Sequence, residues 1–299
     1  MYIQMLGTSC MIPTKDRSHS AMLLFHDKDS ILFDCGEGTQ RQMMIAGIDI
    51  NRISKILISH WHGDHVLGLP GLIQTLAAQN YSKHLKIYGP KNSKAYLDSM
   101  LKGFSFDSTR LEIDVIELSG KEGTFFNNKD YELSALLLDH SIPTLGFSFR
   151  EADRRKINLA FAKKIGLPEG PLMGKLQEGH DIIFKGEKIS VNDATKLIQG
   201  RKFCYIADTT PCNNAIKLAK HADLLVCEST HLSGIEDKTE ETKHMNAKQA
   251  AMIANQADVK KLVLTHFSPR YKDTSDIEDE AQGIFHNTVA AKDFMTIRM

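Results

Sequence analysis

Short apolar runs separated by turn residues recur along the chain and predict strands at 2–6, 21–25, 31–34, 55–59 and 85–88. Stretches with apolar positions three and four apart predict helices at 39–46, 67–78, 93–101, 213–221 and 246–256, with Thr39, Ser93 and Asn246 placed as N-caps. Further strands are predicted at 113–118, 133–138, 146–150, 203–206, 223–227, 261–264 and 294–297. So many strands with only occasional helices imply two packed sheets with helices outside them.

Residues 151–180 break this pattern. A basic amphipathic start runs into a stretch holding Gly166, Pro168, Gly170, Pro171, Gly174 and Gly179, which marks an insertion and not core. From Arg150 to Lys175 there are seven basic and three acidic residues, a local charge of +4. Residues 273–280 form an acidic run that reads as a solvated face.

Composition narrows the class. The 299 residues are 42% hydrophobic and carry 37 basic and 37 acidic side chains, an ordinary globular balance that excludes collagen-like, disordered and disulfide-scaffold chains. Zero net charge argues against whole-surface attraction to nucleic acid or anionic membrane, though not against local patches. The 5 cysteines are scattered without a C-x-x-C pair, which suggests neither a disulfide framework nor a thiolate zinc site. They fit a reducing compartment, and the N-terminus lacks the basic and apolar regions of a signal peptide, so a cytoplasmic location is expected. The longest uncharged stretch, 65–82, is too interrupted by polar residues to span a membrane.

The strongest chemical signal follows the predicted strand at 55–59. His60-Trp61-His62-Gly63-Asp64-His65 places three imidazoles and a carboxylate on one strand-to-helix turn. Such a hexapeptide arises by chance in roughly 2 of 1000 chains of this composition. Neutral imidazole with carboxylate suits zinc or another first-row divalent ion such as manganese, and the C-terminal ends of strands are where ligands bind. One turn can only half-surround a pair of ions, so further ligands must come from distant strand ends. His140, Asp208 and His266 each follow an apolar run at such a position.

These residues resemble the metallo-β-lactamase superfamily and, within it, the short-form ribonuclease Z (tRNase Z) family of tRNA 3′ endonucleases. The resemblance extends over Phe33 to Gln40 (FDCGEGTQ), Asp139-His140, the GLPEGPLMGKLQEG stretch, Asp208-Thr209, HMNAKQAA from His244 and THFSPRY from Thr265. It implies an α/β (α+β) metallo-β-lactamase fold, an αββα four-layer sandwich forming a single domain over 1–299 with a protruding tRNA-binding arm at about 151–180. It assigns His60, His62, His140 and bridging Asp208 to one zinc, and Asp64, His65, Asp208 and His266 to a second. The implied reaction is attack of a metal-activated hydroxide on the phosphodiester that joins the 3′ trailer to precursor tRNA, leaving a tRNA 3′-hydroxyl.

In that reading Asp64 also orients the nucleophile, and His244 protonates the departing 3′ oxygen. Glu228, in a segment reading Cys227-Glu228-Ser229-Thr230 where the family has His-Glu-Ala-Thr, tunes His244. Substrate contacts are expected from Arg17 in the loop Pro13–Ser18, from Arg154, Arg155, Lys156, Lys163, Lys164, Gly170 and Pro171 in the arm, and from Arg270. The implied partners are precursor tRNA and a second copy in a homodimer, with no membrane. The competing function classes are a small-molecule phosphodiesterase or thioesterase of the same superfamily and a non-catalytic RNA-binding protein.

Overall fold

A computed structural model describes residues 1–121, 123–234 and 241–299. The chain divides into two compact units: Met1–Phe126 with Leu133–Phe149 and Lys202–Met299, and Asn127–Glu132 with Arg150–Arg201.

The larger unit is built on two seven-stranded sheets. Edge to edge, the first runs Thr296–Arg298, Tyr2–Gly7, Ala21–His26, Asp29–Phe33, Ile53–Leu57, Leu85–Gly89 and Ile113–Glu117. The second runs Thr288–Ala290, Leu262–Thr265, Leu224–Glu228, Lys202–Ile206, Thr144–Glu151, Tyr131–Leu138 and Gly123–Asn127. Phe33 of the first sheet packs edge-on against Phe147, Phe203 and Tyr205 of the second, with ring centroids 6.1, 5.3 and 6.0 Å away. Buried rings in such contacts contribute about 0.5–1.5 kcal/mol per pair beyond their area. The outer faces are covered by helices. Leu69, Leu72, Ile73 and Leu76 of helix Leu69–Ala78 join the core of the first sheet, and Ala247, Ala250, Ala251 and Ala254 of helix Ala247–Gln256 join that of the second. This is the layered two-sheet mixed α/β architecture that the strand-rich pattern predicted.

Parallel pairing brings the strand ends that matter to common levels. Asp29–Phe33, Ile53–Leu57 and Leu85–Gly89 run parallel, with Phe33 opposite Leu57. In the second sheet Lys202–Ile206, Leu224–Glu228 and Leu262–Thr265 also run parallel, with Ile206 opposite Cys227 and Glu228 opposite Thr265. Parallel strands buried on both faces read as continuous apolar runs, which is why LVLT and LLVC were legible as strands.

Local differences have physical causes. Helices Thr39–Ile45 and Ser93–Gly103 are capped by Gly38 and Asn92, both left-handed, in place of Thr39 and Ser93. Those two hydroxyls donate to the carbonyls of Gly36 and Pro90 instead. Asn246 does cap its helix, completing a reciprocal capping box with Gln249. The helix expected over 67–78 is Leu69–Ala78, and a further short helix, Gly63–Val66, precedes it on the turn after the strand. The short strands Gly123–Asn127 and Thr288–Ala290 were not predicted. The acidic run is helix Ser275–Gln282, not only a solvated face: Ile277 and Ala281 are buried, and Glu278 accepts from the Ala290 amide at 2.6 Å.

The smaller unit contains the whole 151–180 segment and runs on to Arg201. It has a small core of its own. Arg154–Ile157 pairs antiparallel with Thr195–Ile198 and Ile182–Phe184 with Glu187–Ile189, while helices Leu159–Ile165 and Pro171–Gln177 enclose a core of Ala162, Leu167, Leu176, Ile182, Ile189 and Val191.

Candidate metal centre

Six strand ends converge on one site. Asp34 follows Asp29–Phe33, His60 follows Ile53–Leu57, His140 follows Tyr131–Leu138, Asp208 follows Lys202–Ile206, Glu228 ends its own strand and His266 follows Leu262–Thr265. The His60–His65 turn is held against the loop after Asp34 by a Cys35 amide to His65 carbonyl bond of 2.8 Å and a Gly68 amide to Cys35 carbonyl bond of 2.9 Å. This approach requires glycine. A Cβ on Gly36 would lie 2.3 Å from the Asp64 carbonyl oxygen, and one on Gly68 2.2 Å from that of Gly36. Asp34 and His266 sit at φ +55° and +62°, a region non-glycine residues rarely occupy, and such strain gathers where surrounding bonds dictate a functional geometry.

All seven residues expected as ligands come together. His60 Nε2 lies 3.0 Å from His62 Nδ1 and 3.5 Å from Asp208 Oδ2, and His62 Nδ1 lies 3.3 Å from His140 Nε2. On the other side His65 Nε2 lies 3.3 Å from His266 Nε2, 3.5 Å from Asp208 Oδ1 and 3.6 Å from Asp64 Oδ2. His266 Nε2 is 3.4 Å from Asp208 Oδ1 and 3.3 Å from Asp64 Oδ2. A tetrahedral zinc with ligands at about 2.0–2.2 Å holds them about 3.3–3.6 Å apart, so each half has the edge lengths of an ion's coordination shell.

The surrounding hydrogen bonds aim these atoms. Asp34 Oδ2 accepts from Ser59 Oγ, His65 Nδ1 and Tyr205 OH, each at 2.8 Å, and Oδ1 accepts from the Ser59 amide at 2.7 Å. Since the Ser59 proton goes to Asp34, its oxygen accepts from His60 Nδ1 at 3.0 Å. His140 Nδ1 donates to the Lys243 carbonyl at 3.0 Å. Thr230 donates to Glu228 Oε2 at 2.8 Å, and so accepts from His266 Nδ1 at 3.1 Å. With Nδ1–H committed in four rings, their neutral forms present bare Nε2 atoms inward, the arrangement typical of metal-bound histidine.

The carboxylates of the cluster draw positive charge toward it. Burial opposes protonation of His65, yet Asp208, Asp34 and Asp64 outweigh it and lift its pKa well above the ordinary range. Burial is likewise overcome at His266 by Asp208. Burial holds His60, His62 and His140 below their ordinary values, as neutral ligands require. Burial resists ionisation of Asp64 and Asp208, but the facing histidines keep both carboxyls well below the usual range. Asp208 Oδ1 is buried with no hydrogen-bond partner among the described residues. An acceptor of this kind, among bare nitrogens, fits a divalent cation.

Glu228 and His244 lie beside the cluster. Glu228 Oε1 accepts from the Thr209 amide at 2.9 Å and from His244 Nδ1 at 3.1 Å. Against burial, Glu228 raises the His244 pKa.

The expected substrate contacts divide. Arg17 is buried, and its guanidinium donates to the carbonyls of Tyr271 and Ser268, so it ties two loops together. Arg155 Nη1 donates to Asn192 and Thr195 within the smaller unit. Arg154, Lys156, Lys163, Lys164, Gly170, Pro171 and Arg270 are exposed. Sequence reading did not single out Asp34, Tyr205 or Thr230 as the groups that aim the ligands, nor Cys10, whose sulfur lies within 4.8 Å of ligand atoms of Asp64 and His266. The Asp34 signal was present in the FDCGEGTQ run.

Residues 1–157 match the family model described as anti-Pycsar protein Apyc1, and residues 194–267 that of the beta-lactamase superfamily domain. The chain is 39% identical to a Ribonuclease Z of Methanothermobacter thermautotrophicus, over 100% of this chain and 97% of the relative. It is 38% identical to one of Protochlamydia amoebophila, over 98% and 95%. Among solved structures, human tRNase Z, short form, is similar with a TM-score of 0.73 and 29% identity, covering 100% of this chain and 99% of that one. With a full-length match to these relatives and a divalent-metal cluster at its strand ends, the chain belongs to the ribonuclease Z family of the metallo-β-lactamase superfamily.

Proposed function

We propose that the protein is a zinc-dependent endoribonuclease that removes the 3′ trailer of precursor tRNA, with His60, His62, His140 and Asp208 holding one zinc and Asp64, His65, Asp208 and His266 the other. The observation that carries it is Asp208, whose two oxygens face two ligand sets of matching edge length. When bound, such ions acidify water and neutralise charge developing on a phosphate.

The chain's own residues do the rest. The Met11 amide donates to Asp64 Oδ2 at 2.8 Å and holds that carboxylate toward the nucleophile's position. Glu228, fixed by Thr209 and Thr230, binds His244 through Nδ1 and leaves Nε2 to donate to the departing 3′ oxygen. The raised pKa keeps that proton available near neutral pH. Exposed Arg154, Lys156, Lys163 and Lys164 give the smaller unit a basic surface suited to phosphates.

The reading includes a homodimer, supported by the family resemblance, and a cytoplasmic setting, supported by five unpaired cysteines. Among the described residues no helix is long and apolar enough to cross a membrane. The test is precursor tRNA with a labelled trailer, incubated with and without chelator. A single metal-dependent cut at the trailer junction is expected. Retained tRNA binding without cleavage, or hydrolysis of small phosphodiesters alone, would overturn the reading.

A further inference from the structure

After the strand Tyr2–Gly7 the chain makes a tight turn against Asp64. The Ile12 amide donates to the Cys10 carbonyl at 2.6 Å, closing a three-residue turn with Met11 at φ +58° in its middle. Positive φ makes this the rare, strained form of the turn, which persists only where its surroundings over-determine it. Both ends are tied down. The Cys10 amide donates to the Phe267 carbonyl at 3.0 Å, and the Ser9 hydroxyl to the Ile12 carbonyl at 2.7 Å. Packing does not hold the middle residue, because Met11 is 72% exposed. Its two backbone groups do: the Met11 amide donates to Asp64 Oδ2 at 2.8 Å, and the Met11 carbonyl accepts from His19 Nε2 at 3.0 Å.

The His19 ring is costly where it stands. A carbonyl can only accept, so Nε2 carries the proton and the neutral, buried ring leaves Nδ1 bare. Nδ1 has no hydrogen bond among the described residues, with Glu37 Oε2 4.0 Å away. A leucine would fill the space without a buried unpaired acceptor, so packing alone does not account for an imidazole here. What the imidazole adds is the bond to Met11. Among the described residues the Met11 amide is the one hydrogen-bond donor to Asp64 outside the rings of His65 and His266. The two segments also close on each other directly: a Cβ on Gly36 would lie 2.5 Å from His19 Cβ and 2.3 Å from the Asp64 carbonyl oxygen.

We propose that His19 is a positioning residue for Asp64. It holds the Met11 carbonyl, and the Met11 amide thereby stays aimed at Asp64 Oδ2. The proposal rests on the endoribonuclease reading, in which Asp64 joins the second ligand set and orients the nucleophile. The path from His19 through Met11 to Asp64 includes none of His60, His62 and His140, so its effect falls on the second ion and spares the first.

The test partitions zinc alone between the full-length protein and a chromophoric chelator, which resolves the two binding steps. In His19→Leu one step should weaken about ten-fold while the other stays. His19→Gln carries an amide nitrogen to the place of Nε2 and should restore the lost affinity. His19→Asn carries one only to the place of Nδ1 and should not. A ring that serves as packing alone predicts the opposite order, with leucine nearest the wild type. Both steps weakened alike, unchanged affinity in His19→Leu and His19→Asn, or a glutamine variant no better than the asparagine one overturns the proposal. If His19→Leu does not fold, the comparison of glutamine with asparagine decides alone. At saturating zinc, kcat for precursor tRNA should fall about ten- to a hundred-fold in His19→Asn with KM unchanged. A raised KM with unchanged kcat also overturns it. The two readings fail separately. A wild type that leaves precursor tRNA uncut but shows the one-step zinc effect sinks the endoribonuclease reading and keeps His19 as the group that positions Asp64. Cleavage of precursor tRNA with both zinc steps weakened alike does the reverse.

Discussion

Glu228 Oε1 lies 3.1 Å from His244 Nδ1, a buried carboxylate facing an imidazole in reach of the metal ligands. Burial alone would lower the imidazole pKa, but Glu228 outweighs it and the net direction is up. A raised value means that the charged form is complete below the ordinary histidine range and drains away as pH rises through the raised pKa. Activity that depends on that proton therefore has its falling limb on the alkaline side. Glu228→Gln removes the carboxylate charge, and the limb is expected to move to lower pH in the kcat profile with zinc content unchanged. A limb that stays in place would assign it to another group.

His244→Ala tests the proton itself. Both metals should remain, because the ligand sets exclude His244, while turnover of precursor tRNA falls by about 10²–10⁴-fold. Bis(p-nitrophenyl) phosphate releases a nitrophenolate that needs no proton, and its hydrolysis should suffer far less. Equal losses on both substrates would mean that His244 positions the site and does not donate.

Asp34 touches no expected ion, yet it accepts four hydrogen bonds, from Ser59 twice, His65 and Tyr205. All four partners are donors. Asp34→Asn must turn an NH₂ group against at least one of them whichever way the amide faces, and left-handed φ at this position is tolerated by asparagine. A loss of about 1–3 kcal/mol in denaturant unfolding is expected from the unsatisfied donors. Misorientation of His65 should weaken metal binding by about 10–100-fold in competition with a chelator. Wild-type metal affinity in this variant would show that His65 needs no orienting carboxylate.

The different fates of these residues show what a sequence can disclose. His60 to His65 were legible because four donors sit on one turn, and His140, Asp208 and His266 because each stands just past an apolar run. Asp34 and Thr230 act through partners 25 to 36 residues away, and Tyr205 through one 171 away, contacts that only sheet pairing creates. The anchoring of Arg17 was hidden for a related reason: the carbonyls of Ser268 and Tyr271 that accept from its guanidinium stand 251 and 254 residues away. Thr39 and Ser93 looked like caps by type, but the chain enters both helices through a left-handed residue and leaves their hydroxyls to the preceding turn.

Asp208→Ala removes a carboxylate from both ligand sets at once, because Oδ2 faces His60 and Oδ1 faces His65 and His266. Metal content after gel filtration should fall from two ions per chain toward none, and turnover to background. A variant that keeps two ions contradicts the bridge.

The boundaries of the smaller unit change how the arm must be removed. Cutting out 151–180 would take Ala162, Leu167 and Leu176 from its core and strand Ile182, Ile189 and Val191 without partners, so loss of function would report misfolding. The two ends of the excursion already meet: the Glu151 amide donates to the Arg201 carbonyl at 2.9 Å, and the Arg201 guanidinium is paired with the Glu151 carboxylate at 2.7 Å. Replacing 152–200 with a two-glycine turn should therefore leave the sheets and the metal centre folded. Zinc content and hydrolysis of bis(p-nitrophenyl) phosphate are expected to persist, while KM for precursor tRNA rises and the salt dependence of tRNA binding flattens, because the exposed Arg154, Lys156, Lys163 and Lys164 are gone. Unchanged cleavage of precursor tRNA would remove the arm from substrate binding and return that role to the surface around the metals.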